Sequence, residues 1–219
     1  MKKGCLFDLD GTLVNSITDL ALSTNEVLKL HHLPTHDDIS QYNMFVGNGV
    51  KKLMERALGP EHLDLLDVCL QDFQKIYREH CLDHTIPYDG IEELITYLKK
   101  QNIKLAVVTN KPHALAIQIV EHLFPDTFVA IYGQQDLYPV KPDPQSTYMA
   151  LMEMRLDKKD CFFIGDSQVD IDTGYYADID SIGVTWGFRG RQELENAGAD
   201  YIVDNPYEIM ELIQNENRG

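Results

Sequence analysis

Short apolar runs that never alternate with polar residues punctuate this chain, and stretches of helical period lie between them. The runs Gly4–Asp8, Lys104–Thr109, Phe128–Tyr132, Cys161–Gly165, Ser181–Thr185 and Tyr201–Val203 predict strands. The segments Ile91–Gln101, His113–Leu123, Gln145–Met154, Gln192–Ala197 and Tyr207–Gln214 predict helices. A strand that is apolar on both faces needs cover on both faces. The expected fold is therefore α/β, a mostly parallel sheet with helices on either side.

The rhythm fails once. Between Ser16 and His84 no strand is convincing and the spacing is helical: Leu20, Leu22, Val27 and Leu28, then Val50, Leu53, Met54, Ala57 and Leu58, then Leu65 to Tyr77. This predicts two units, an α/β core made of residues 1–15 and 85–219 and a helical insert over 16–84. The expected hinges are Val14–Ile17 and His84–Gly90. An insert placed directly after the first strand stands over the carboxyl edge of the sheet, where it can act as a lid.

Ligands of open parallel sheets sit beyond the carboxyl ends of the strands, and four such ends carry chemistry here. The first is Asp8-Leu9-Asp10-Gly11-Thr12. Two carboxylates one residue apart at a strand tip raise each other's proton affinity or call for a cation. Asp8 reads as a nucleophile and Asp10 as its acid–base partner; the alternative is an ordinary Asp-Gly turn. The second is Thr109-Asn110 before Lys111-Pro112, a phosphate cradle or a plain helix cap. The third, Lys141-Pro142-Asp143-Pro144, offers a cation for phosphoryl charge or a solvated loop lysine. The fourth is Gly165-Asp166-Ser167-Gln168-Val169-Asp170. Asp166 reads as a metal ligand supported by Ser167 and Asp170, which also fit a capping box. Carboxylates without a His or Cys cluster suit Mg²⁺ rather than zinc. His80 and His84, four apart, lack the ligand spacing of a zinc site.

Composition narrows the partners. The net charge of −16 argues against nucleic acid and anionic membranes. The four cysteines, Cys5, Cys69, Cys81 and Cys161, form no CxxC pair, which predicts free thiols in a reduced, cytoplasmic protein. The apolar run after Met1-Lys2-Lys3 stops at Asp8, too early for a signal peptide or a membrane span.

Taken together, DLDGTLVNS at the start, the strand ending in Thr109-Asn110, the KPDP lysine and GDSQVD resemble the haloacid dehalogenase superfamily of phosphatases across essentially the whole chain. The resemblance implies a Rossmann-like core with an inserted cap domain. It implies that Asp8 attacks phosphorus and becomes an aspartyl phosphate, and that Asp10 serves the leaving alcohol and then the water. Thr109, Asn110 and Lys141 would hold phosphoryl oxygens. Mg²⁺ would rest on Asp8, the Asp10 main-chain carbonyl and Asp166. Asp10 argues against the dehalogenase and phosphonate-cleaving branches.

The segment from Phe45 to Leu58 is similar to the cap of phosphoglycolate phosphatases, which makes Gly47, Asn48, Gly49 and Lys51 candidate substrate contacts. The other reading of that segment is an amphipathic helix with a solvated charged face. The expected partner is a small phosphorylated metabolite, 2-phosphoglycolate foremost, acted on by a monomer or small homo-oligomer. A sugar-phosphate mutase, a pyrophosphatase and a silent phosphometabolite-binding protein stay open. One departure stands out: Gly174-Tyr175-Tyr176-Ala177-Asp178 brings bulk where the family has small residues and a terminal Gly.

Overall fold

The computed structural model describes residues 1–217. A six-stranded parallel sheet forms the core, built from β1 (Gly4–Phe7), β4 (Lys104–Pro112), β5 (Ala130–Gln134), β6 (Cys161–Gly165), β7 (Asp180–Val184) and β8 (Tyr201–Val203), in the order β5-β4-β1-β6-β7-β8. The side-chain alternation of β1 explains why its residues are all apolar. Cys5 and Phe7 enter a core that includes Leu105, Val107, Phe162 and Ile164. Leu6 enters the opposite core, with Ala106, Val108, Cys161 and Phe163.

Helices close both faces. Against the first lie α5 (Ile91–Lys100), α6 (His113–Leu123) and α10 (Pro206–Glu216), through Leu94, Leu98, Ile119, Ile209 and Ile213. Against the second lie α7 (Gln145–Met154) and α8 (Gln168–Ala177), through Ala150, Met154 and Ala177. A short helix, α9 (Arg191–Ala197), buries Leu194. All four cysteines are buried free thiols. No helix among the described residues is long and apolar enough to cross a membrane.

The insert contains α1 (Ile17–Leu30), α2 (Tyr42–Phe45), α3 (Val50–Leu58) and α4 (Leu66–His80). Leu20, Thr24, Val27 and Leu28 form the buried stripe of α1. Cys69, Phe73 and Tyr77 form that of α4, one turn apart, with the last two rings stacked at 5.2 Å. The two expected hinges turn out to pair: β2 (Val14–Asn15) and β3 (Ile86–Pro87) make a small antiparallel ladder at the neck. Each is only two residues long, so neither left a periodic signal.

Two strand ends and one helix face differ from the sequence reading in ways that have a physical reason. The strand expected from Phe128 begins at Ala130, because Phe128 packs edge-on to Phe7 and Phe124 ahead of the ladder. β4 runs three residues past Thr109, with a register shift between Val108 and Pro112. Tyr175 and Tyr176 add no bulk behind Asp166: they are 79% and 55% exposed, while Ile171, Gly174 and Ala177 form the buried face of α8. Asp178 caps that helix at φ 58°, where the family has Gly.

The neck is held by one buried carboxylate. Asp19 accepts hydrogen bonds from the main-chain N–H groups of His84 and Thr85 and from the Thr85 hydroxyl, at 2.7–3.0 Å, and pairs with His84 Nδ1 at 2.8 Å. His80 pairs separately with Asp83, so the two histidines serve different carboxylates. Replacing Asp19→Ala strands buried N–H donors and should cost about 2–4 kcal/mol of unfolding free energy. Urea denaturation checks this, and a loss below about 0.5 kcal/mol would show that the neck does not depend on Asp19.

Candidate functional site

Sheet register assembles the site. Phe7 lies opposite Val107 on β4 and Ile164 on β6. Residues one or two positions further along these three strands are therefore brought to one edge: Asp8 after β1, Thr109 on β4 and Asp166 after β6. The loop before α7 adds Lys141, and the first turn of α8 adds Asp170.

Lys141 is buried between two carboxylates. Its Nζ donates to Asp170 Oδ1 at 2.6 Å and lies 2.9 Å from Asp8 Oδ1. The second contact is an ion pair whose angle falls short of a hydrogen bond, so Asp8 Oδ1 is buried without a hydrogen-bond donor. Burial works against the ammonium, but Asp170 and Asp8 outweigh it and hold the lysine above its ordinary pKa. Burial pushes Asp8 up to about 6; Lys141 opposes this and Asp170 adds to it. Burial also raises Asp166 well above the usual carboxylate range, with Asp170 and Asp8 contributing. Asp170 is the fully committed member, its second oxygen accepting from the Ser167 N–H and hydroxyl.

Asp8, Asp166 and Asp170 each offer an oxygen within 4.8 Å of the others. Three acids against one lysine leave a formal surplus of two negative charges. That surplus, carried on hard carboxylate oxygens, fits a divalent cation held by Asp8 and Asp166. Asp166 spends Oδ2 on the Phe188 N–H at 2.7 Å and makes no hydrogen bond through Oδ1 among the described residues.

Above this cluster, between core and insert, lies a pocket of about 460 Å³ including its open mouth. Asp8, Asp10, Thr109, Asn110 and Lys111 line it from the core, and Leu20, Val46, Gly47, Gly49, Val50, Leu53 and Tyr77 line it from the insert. Asn110 is committed elsewhere through its side chain. Its amide oxygen accepts from the Lys141 N–H at 2.8 Å, and its NH₂ donates to the carbonyls of Lys141 and Gly47. It thus fixes the lysine loop rather than presenting its amide to a ligand.

The insert residues divide. Gly47 and Gly49 line the pocket. Asn48 turns away and accepts from Arg56. Lys51 is exposed and outside the lining, as a solvated helix face predicts.

Lys111 carried no role in the sequence reading, yet it is 5% exposed and donates to both oxygens of Asp10, at 2.9 and 3.0 Å, and to the Tyr77 hydroxyl at 2.7 Å. Ending β4 at Thr109 hid it. Extending the strand by three residues carries the lysine into the pocket. Arg189 was missed as well: it follows β7 and donates to the Val46 carbonyl at 2.8 Å across the mouth.

Glycine is required around the acids. A Cβ on Gly165 meets Asp170, and one on Gly11 or Gly187 meets Asp166, each within 3 Å. Gly187→Ala should therefore push Asp166 out of the cluster and cost about 1–3 kcal/mol of stability through overpacking. Thermal denaturation with a crystal structure of the variant checks this; an unmoved Asp166 and an unchanged midpoint would mean that the cradle is slack.

The family model for haloacid dehalogenase-like hydrolases matches residues 5–184. A phosphoglycolate phosphatase of Colwellia psychrerythraea is 34% identical over 218 residues, covering 95% of this chain and 96% of its own. An N-acetylmuramic acid 6-phosphate phosphatase of Pseudomonas aeruginosa is 32% identical over 215 residues, covering 96% and 94%. Among solved structures, a predicted phosphoglycolate phosphatase of Haemophilus somnus superposes with a TM-score of 0.89 at 32% identity, covering 97% of this chain and 98% of that one.

Proposed function

This chain belongs to the haloacid dehalogenase-like hydrolase family and is a phosphatase, and we propose that it hydrolyses small phosphomonoesters through an aspartyl phosphate on Asp8, with 2-phosphoglycolate as the preferred substrate. The carrying observation is a single pocket with Asp8 at its floor and Asp10 on its wall, closed above by the helical insert. We take residues 16–84 as the cap and residues 1–15 with 85–219 as the catalytic core.

In this reading an Asp8 oxygen attacks phosphorus in line with the leaving oxygen. The Asp8 O–P bond forms, the ester P–O bond breaks, and the departing alkoxide takes a proton from Asp10. Asp10 then removes a proton from the water that hydrolyses the acyl phosphate, and phosphate departs. Lys141 and Thr109 balance and orient the phosphoryl oxygens. Asn110 serves by holding the Lys141 loop, through its hydrogen bonds to that loop's main chain. Asp170, anchored by Ser167, holds the lysine from behind.

Asp8, Asp166 and the Asp10 main-chain carbonyl are the groups that would hold Mg²⁺. When bound, the cation neutralises the site's surplus negative charge and lets a phosphate dianion approach.

The substrate reading rests on size and on kinship. The closed pocket is narrow, and several relatives carry the phosphoglycolate phosphatase name. The Pseudomonas relative favours a second reading, an amino-sugar 6-phosphate. A kcat/KM panel of phosphorylated metabolites should rank 2-phosphoglycolate first. A higher value for N-acetylmuramic acid 6-phosphate would reverse that order.

Asp8→Asn should lower kcat by more than ~10³-fold while the protein stays folded by circular dichroism. Wild-type activity in that variant would remove Asp8 as nucleophile. EDTA should abolish turnover and excess Mg²⁺ restore it; turnover indifferent to chelator would refute the cation role of Asp8 and Asp166.

A further inference from the structure

We propose that Lys111 is a positioning residue that makes the aim of Asp10 depend on closure of the cap; the inference rests on the acid–base reading of Asp10. A lysine ammonium has three hydrogens, and each has a partner here. Two go to the Asp10 carboxylate and one to the Tyr77 hydroxyl. The ammonium also lies 4.7 Å from the Tyr77 ring centroid. Lys111 sits on β4 of the sheet, and Tyr77 on α4 of the insert. One buried cation therefore spans the two bodies and holds the proposed proton donor between them.

Among the described residues Asp10 has one other side-chain partner, the Ser16 hydroxyl, at 2.6 Å from Oδ1. Oδ1 thus takes two donors and Oδ2 takes one, which leaves Oδ2 the less engaged oxygen. Withdrawing α4 removes the Tyr77 acceptor and opens the ammonium to water, which then competes with Asp10 for its hydrogens. The carboxylate is left on a freer tether. With the cap closed, both Asp10 oxygens are fixed. The proton donor is in this way held in place when the pocket is covered and loosened when it is open to solvent.

A different role would have Lys111 bind the anionic end of the substrate. Its three hydrogens are already engaged, so a substrate anion would have to displace Asp10 or the Tyr77 hydroxyl. The two roles separate experimentally by leaving group. An alkoxide needs the Asp10 proton as its P–O bond breaks, whereas p-nitrophenolate departs without one. A residue that acts through Asp10 must therefore matter for alkyl phosphates and hardly at all for the p-nitrophenolate burst.

The test uses Lys111→Met, Tyr77→Phe and Asp10→Asn, each with p-nitrophenyl phosphate and with the best alkyl phosphate of the panel. Lys111→Met should lower kcat on the alkyl phosphate by ~10²-fold and shift KM by less than about threefold, with the burst rate reduced by less than about threefold. Tyr77→Phe keeps the ring stacked on Phe73 and should lose about three- to tenfold in kcat on the alkyl phosphate alone.

Equal losses on both substrates, or a rise in KM at constant kcat, would overturn the positioning role. If Lys111→Met fails to fold, Tyr77→Phe decides: unchanged kcat on the alkyl phosphate sinks the proposal. Asp10→Asn keeps the two levels apart. It should lose alkyl phosphate turnover and retain the burst; if it retains both, the acid–base reading fails and not merely the role of Lys111.

Discussion

One buried lysine against three buried acids is the constraint on which this molecule turns. Lys141 holds Asp170 and Asp8, and Asp166 stands in the same cluster. Charges are buried at a cost that only close partners offset, and here the partners do not balance. Burial, together with the neighbouring carboxylates, raises the proton affinity of Asp8 and Asp166. It also explains the neighbouring commitments. Ser167 and Asn110 use their hydrogen bonds to hold Asp170 and the Lys141 loop rather than to meet a ligand. Asp8 is the member of this cluster that faces the pocket. A surplus of this kind is what a divalent cation would neutralise.

Topology makes such a cluster affordable. Neighbouring parallel strands lie about 4.8 Å apart, so residues following β1 and β6 meet without any long-range search. The crowding that results leaves no space for a Cβ at Gly11, Gly165 or Gly187. Of these, Gly11 also adopts φ 88°, a region that L side chains avoid. Gly11 therefore does two things at once: it turns the chain, and it lets the Asp166 carboxylate from the end of β6 approach its backbone.

The sequence displayed these acids well and their supports poorly. Asp8 and Asp166 end apolar strands, and a charged residue at the end of a buried run is conspicuous. The sheet core and the helical insert were visible for the same reason, because burial on two faces leaves no alternation. Lys111 was not visible, since its meaning depends on β4 continuing through a register shift that no periodicity encodes. The neck ladder β2–β3 was too short to register. Lys51 was misleading in the opposite sense: it sits beside two pocket glycines in sequence but on the outward side of α3 in space. Tyr175 and Tyr176 misled similarly, because helical phase alone decides whether bulk points inward, and here it points out.

Few polar side chains join the insert to the core at the pocket. Asn110 reaches the Gly47 carbonyl, Arg189 the Val46 carbonyl and Lys111 the Tyr77 hydroxyl. A hydrogen bond contributes on the order of 1 kcal/mol net, somewhat more when one partner is charged. Together the three contribute a few kcal/mol at most, beside an apolar cluster that runs through both insert and core. The neck is tied differently, with a buried carboxylate gathering donors from the returning strand. Polar contacts are thus dense where the insert is rooted and sparse where it meets the pocket.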